Sequence, residues 1–229
     1  MSPESTKEYY AILIDLARKA FGEGSDLPDI IIYSINLATM TAHMKAGRHK
    51  EVVELLSNAV QMLHNAGAEL VALTANTPHI FFDELQRRSP VPMLSIVQAT
   101  YERASKLGTR KALLIGTRFT MASDMYPKAF AGGGIDVVVP DENERGYIDN
   151  AIRNELTNGV IALATKQRFI DIGLHHIKEE KVDSVVLGCT EIPLLLKEGD
   201  LPVPLLDTTR IHAEAIFNAA WTKKDKRRT

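Results

Sequence analysis

Short apolar runs recur along the chain, each bounded by polar or turn residues. They fall at 29–36 (DIIIYSIN), 69–76 (ELVALTAN), 91–97 (VPMLSIV), 111–117 (KALLIGT), 136–140 (DVVVP), 183–189 (DSVVLGC) and 203–207 (VPLLD). Their richness in Val, Ile and Leu is the pattern of strands covered on both faces. Between them apolar positions return at helical spacing. Residues 52, 53, 55, 56, 59, 60 and 63 form one wide stripe closed by Gly67, and the stretch 97–108 ends the same way at Gly108. A further helix is predicted over 166–181, burying Phe169, Ile170, Leu174 and Ile177 on one side. The chain begins as a loop and then a helix, with Ser5 or Thr6 as the expected cap. The glycine-rich stretch 131–136 reads as a helix-to-strand turn. Strands alternating with helices predict an α/β protein with mostly parallel sheets.

Two stretches share one construction. Residues 70–79 and 185–196 are each an apolar strand that ends in a small polar cluster and runs into a helical stretch. The expectation is two lobes with polar clusters at strand carboxyl ends, facing each other across a cleft, where open parallel sheets take ligands. No Pro/Ser-rich linker separates them.

Composition narrows the function classes. A net charge of −2 with 24% charged residues favours neither nucleic acid nor an anionic membrane as partner. No apolar run approaches the roughly 18 residues of a membrane helix, and the first ten residues do not read as a signal peptide. The single cysteine excludes an intramolecular disulfide and a cysteine-rich zinc site, which makes the cytoplasm the expected compartment. The basic tail 222–229 reads as a solvated end. His175 and His176 stand at helical spacing to Glu179 and Glu180, but a third ligand of the right kind is not evident, so no metal is expected. No glycine-rich nucleotide fingerprint is present.

The candidate chemistry lies at strand ends. Cys189 follows Gly188 and precedes Thr190 and Glu191, which would open the next helix. One reading makes it a small buried hydrophobe. The other makes it an activated thiol, since a helix N-terminus lowers a thiol's pKa and also seats a carboxylate. Asn76 and Thr77 supply amide and hydroxyl donors after a strand, or simply form a turn. His79 is either a group titrating near neutrality or a hydrogen-bonded packing residue. Thr117 follows Gly116 at another strand end, with Thr120 as cap of the next helix; this is a carboxylate cradle or ordinary capping. Arg48, Arg118 and Lys166 are charged candidates that nothing local singles out.

PESTKEYY (3–10), ANTPH (75–79), IGTRFTM (115–121) and LGCTEIPLLL (187–196) together resemble the cofactor-independent aspartate/glutamate racemase superfamily, in its aspartate racemase branch. The resemblance spans nearly the whole chain. It implies two pseudo-symmetric Rossmann-like lobes, at 1–97 and 98–207, with the site in the interlobe cleft. A C-terminal helix over 208–229 would return to the first lobe, and the protein would be a homodimer. It implies an amino-acid racemase, an isomerase acting on a small carboxylate such as aspartate or glutamate, with no pyridoxal phosphate and no metal. Inverting an α carbon requires proton transfer on both faces of a planar carbanion, and the family sets one cysteine on each side. Cys189 matches the second-lobe cysteine, with Thr190 and Glu191 beside it. Asn76, Thr77 and His79 match the first-lobe carboxylate-binding stretch, Thr117 and Thr120 the second-lobe contacts, and Arg48 and Lys166 the basic residues associated with the substrate side chain.

Two departures stand out. The family's first cysteine falls on Ala75, whose methyl neither takes nor gives a proton. The family normally opens with a strand and a glycine-rich loop, of which the given sequence shows only SPEST (2–6); either its start is mis-assigned or truncated, or another segment is expected to fill the gap. Two alternatives therefore accompany the racemase: a one-thiol lyase, decarboxylase or isomerase on the same scaffold, as in the arylmalonate decarboxylases, and an inactive ligand-binding homologue.

Overall fold

The computed structural model describes residues 2–22 and 29–225. In chain order these form α1 (Pro3–Phe21), α2 (Leu37–Lys45), α3 (His49–Asn65), β1 (Val71–Ala72), a 3-10 turn (Thr77–Phe81), α4 (Phe82–Arg88) and β2 (Met93–Leu94). There follow α5 (Ile96–Lys106), β3 (Lys111–Gly116), α6 (Arg118–Ala122), α7 (Met125–Ala131), β4 (Asp136–Val138) and α8 (Glu142–Asn154). The chain continues through a 3-10 turn (Leu156–Asn158), α9 (Leu163–Glu180), β5 (Ser184–Gly188), α10 (Ile192–Leu195), β6 (Leu205–Asp207) and α11 (Thr208–Asp225). It divides into two compact units, one of residues 1–74, 81–95 and 212–229, the other of residues 75–80 and 96–211.

In the first unit α1 starts earlier than expected. Its cap is Ser2, whose hydroxyl accepts the Ser5 N–H at 3.1 Å, with Pro3 pre-set for the first turn. Ser5 is thereby free to donate to the Thr74 carbonyl at 2.5 Å. The predicted stripe of α3 buries Val52, Val53, Leu56, Ala59 and Val60, and the chain leaves through Gly67 at φ +95. β1 and β2 pair in parallel, Val71 opposite Met93. Tyr9, Ile12 and Ala213 pack together, and the Tyr9 hydroxyl lies 2.9 Å from His212 Nδ1. The predicted strand at 29–36 is absent. The run has no ladder partner among the described residues, and Ile31, Ile32 and Tyr33 are half-exposed. Apolar, β-branched sequence becomes a strand only where a neighbour supplies hydrogen bonds.

The second unit is built on a four-stranded parallel sheet ordered β4-β3-β5-β6. Its strands read as continuous apolar runs because both faces are covered. Leu113, Ile115, Val185 and Leu187 point into one core with Ile148, Ile152, Phe169 and Ile172 of α8 and α9. Ala112, Leu114 and Val186 point into the other, with Ile96, Ala104, Tyr126, Phe130 and Ile211. In α9 the buried face runs through Thr165, Phe169, Ile172, Gly173 and His176, which leaves Leu174 exposed rather than buried as expected. Helix α11 continues to Asp225 through the first residues of the basic tail, and residues 226–229 lie outside those described. No helix among the described residues is long and apolar enough to cross a membrane.

Candidate active site

The site grows from two glycines. Gly116 and Gly188 end β3 and β5 in register with each other. A Cβ on Gly116 would stand 2.7 Å from the Gly188 carbonyl oxygen, so only glycine permits this approach. The register brings the next residues, Thr117 and Cys189, to the carboxyl ends of adjacent strands.

Thr117 caps α6 by accepting the Thr120 N–H at 3.2 Å. The cap is thus Thr117, not Thr120 as expected from sequence, because Thr117 is the last extended residue before the turn. The two hydroxyls lie 3.0 Å apart, and the Thr77 hydroxyl completes a triangle at 3.0 Å from Thr117 and 3.3 Å from Thr120. Thr77 and Thr117 are only partly buried. Three rotatable hydroxyls at one point can turn their protons toward an incoming carboxylate oxygen. From α8, Asp149 accepts the Arg118 N–H at 2.8 Å and the Arg153 Nε–H at 2.7 Å, which braces the start of α6.

Cys189 is buried, and its thiol donates to Glu191 Oε2 at 3.0 Å; the Thr190 hydroxyl donates to the same oxygen at 2.9 Å. The sequence reading of a helix-lowered thiol pKa is corrected here. Burial first, then the Glu191 carboxylate and more weakly Asp149, hold Cys189 well above the usual thiol range. The helix that follows, α10, has four residues and too little dipole to oppose them. The resting group is a thiol with a proton acceptor in contact.

Asn76 is nearly fully buried. Its Nδ2 donates to Thr208 Oγ1 at 3.0 Å, and its Oδ1 accepts the Tyr126 hydroxyl at 2.6 Å. His79 is buried and held by backbone on both sides of its ring, the packing alternative that the sequence offered. Its Nε2 accepts the Ile96 N–H at 3.1 Å, which leaves the proton on Nδ1 to donate to the Ala75 carbonyl at 2.8 Å. Both ring nitrogens are committed to backbone, so the ring holds the 75–80 turn to the start of α5.

Asn76, Thr77, Thr117, Thr120, Cys189, Thr190 and Glu191 therefore fall in one unit, with Thr77, Thr117 and Thr120 hydrogen-bonded in one set and Cys189, Thr190 and Glu191 in another. The stretch 75–80, expected in the N-terminal lobe, belongs with 96–211. Lys166 is in the same unit, but its ammonium pairs with Asp200 at 2.8 Å, which with the Lys197 N–H holds that carboxyl below its usual range. Arg48 lies in the other unit, exposed just before α3. Among the described residues no cluster of histidine, cysteine and carboxylate side chains could hold a metal. Tyr126 and Thr208 were missed from sequence. Thr208 carried the same signal as Thr117, a hydroxyl directly after a strand, whereas Tyr126 lies inside a helix with nothing local to mark it.

Hydroxyls, an amide and a thiol stand at the carboxyl ends of parallel strands, the rim where open α/β sheets usually take ligands. The chain belongs to the Asp/Glu/hydantoin racemase family, whose sequence model matches residues 1–216. It is similar to the crystal structure of PH1733, an aspartate racemase homologue from Pyrococcus horikoshii OT3, at 39% identity and TM-score 0.82, covering 95% of this chain and 94% of that one. It is 25% identical to the broad specificity amino-acid racemase RacX of Bacillus subtilis (strain 168), across 94% of this chain and 92% of the relative. The aspartate racemase of Picrophilus torridus shares the fold, with TM-score 0.74 at 22% identity over 95% of this chain and 90% of that one.

Proposed function

We propose that this protein is a racemase-like isomerase that moves a proton at the α carbon of a small amino-acid carboxylate, such as aspartate or glutamate, without pyridoxal phosphate. The observation that carries the reading is the thiol–carboxylate pair of Cys189 and Glu191 beside the hydroxyls of Thr77, Thr117 and Thr120. The thiol first passes its proton to Glu191 Oε2. The thiolate then takes the α proton, and the electron pair of the C–H bond moves into the carboxylate to form an enediolate. The threonine hydroxyls and the Asn76 N–H stabilise the charge that develops on those oxygens. Return of a proton from the thiol to carbon, and from Glu191 to sulfur, closes the cycle.

Ala75 supplies no second acid or base. With both His79 nitrogens bonded to backbone, water is the remaining donor for the opposite face. Exchange with retention is therefore the expected main outcome, with slower inversion. The test is enantiopure L-aspartate and L-glutamate in D₂O, followed by NMR and chiral chromatography. α-Deuteration lost in Cys189→Ala supports the reading, and no deuteration of any amino acid sinks it. The single cysteine together with Ala75 also favours a one-thiol decarboxylase, for which release of CO₂ from an arylmalonate is the discriminating signal. We assign the enzyme to the cytoplasm as a homodimer on the same family reading, and sedimentation in solution checks the stoichiometry.

A further inference from the structure

The Asn76 amide is held by groups that leave it one orientation. Thr208 Oγ1 donates its only proton to the Leu187 carbonyl of β5 at 2.8 Å, so toward Asn76 it can only accept. Nδ2 must face it. Oδ1 must then face Tyr126, whose hydroxyl donates at 2.6 Å. Flipping the amide would set Oδ1 against an oxygen with no proton left. Tyr126 and Thr208 are fully buried, and burial raises the Tyr126 phenol well above its ordinary range, so it stays a donor. One N–H of Nδ2 is used by Thr208, and the second has no partner among the described residues. Asn76 precedes Thr77 of the hydroxyl triangle, and Leu187 lies two residues before Cys189 on β5. The hydrogen-bond chain thus ties the amide to the strand that carries the thiol.

We propose that Tyr126 and Thr208 are positioning residues that lock the Asn76 side-chain amide and direct its second N–H at the substrate carboxylate. This rests on the α-proton-transfer reading for the identity of the substrate. The locking itself does not.

The experiment is NMR of the side-chain amides of the full ¹⁵N-labelled chain, with the Asn76 pair assigned by its loss in Asn76→Asp. In Tyr126→Phe the Asn76 pair should shift and its solvent exchange rise by about tenfold or more, as a buried donor–acceptor contact is lost. Unchanged Asn76 signals in folded Tyr126→Phe overturn the lock. Should that variant not fold, Thr208→Val is read in the same way. Titration of the wild type with succinate, a dicarboxylate with no amine, should shift the Asn76 N–H; bound succinate with no shift overturns the directed donor. In the deuterium-exchange assay, Tyr126→Phe should lower kcat for L-aspartate about tenfold with KM little changed, as expected when a transition-state donor is misaimed. The same change in an Asn76→Ala background should cost nothing further, and an additive loss overturns action through Asn76. If the wild type exchanges no amino acid, the proposed function fails while the amide and succinate signals still decide the inference.

Discussion

Cys189 shows how far a single residue's chemistry depends on what touches it. Its position after a strand and before a helix suggested a lowered pKa, whereas a buried thiol against Glu191 is held protonated. Iodoacetamide should therefore alkylate the folded protein slowly at pH 7.5, and the rate should climb only above the ordinary thiol range of about 8.5. Fast alkylation at neutral pH, followed by mass spectrometry, would contradict this. Ala75 is the complementary case. Ala75→Cys supplies a second thiol, and conversion of L- to D-aspartate should rise from the wild-type level, read by chiral chromatography. Proton exchange with retention should give way to exchange with inversion in that variant.

At the scale of elements, the register of β3 on β5 places the chemistry, and two glycines permit it. Gly116→Ala drives a methyl against the Gly188 carbonyl and should destabilise by about 1–3 kcal/mol, measured by urea unfolding, because backbone must move. Cys189 and Thr117 would be displaced together, so activity should fall more than stability alone explains. His79 acts at this scale too. His79→Ala leaves the Ile96 N–H and the Ala75 carbonyl without their partner, each at about 1–3 kcal/mol, while the shape of the pH–activity profile stays as it was. A lost limb in that profile would restore His79 to a catalytic role. The helices and most strands were legible because apolar periodicity follows from which faces are covered. The strand at 29–36 was misread because periodicity reports apolar character and not the presence of a hydrogen-bonding neighbour.

For the whole molecule, the hydrogen bonds of Asn76, Thr77 and His79 bind the 75–80 turn into the unit of residues 96–211. Hydrogen exchange with mass spectrometry should accordingly protect this turn to the level of β3 and β5, not to that of the helices flanking 29–36. Stability should also depend on alkaline pH in a set direction. Burial raises both Cys189 and Tyr126, so the native state holds protons that the unfolded chain releases. Unfolding free energy is unaffected below about pH 8.5, falls above it as the unfolded thiol ionises, and falls further beyond about 10 as the unfolded phenol does. Urea midpoints at pH 7.5 and 9.5 check this, and Cys189→Ala should flatten the change between them. By itself the sequence determined the α/β class, the parallel strands of the larger sheet and the motifs that end them, because local periodicity and turn chemistry are written residue by residue. Only the tertiary structure decided that Thr117 caps α6, that His79 is a staple, that Cys189 rests as a thiol and that Tyr126 holds Asn76. Each of those depends on groups distant in sequence that meet where burial strengthens their electrostatics.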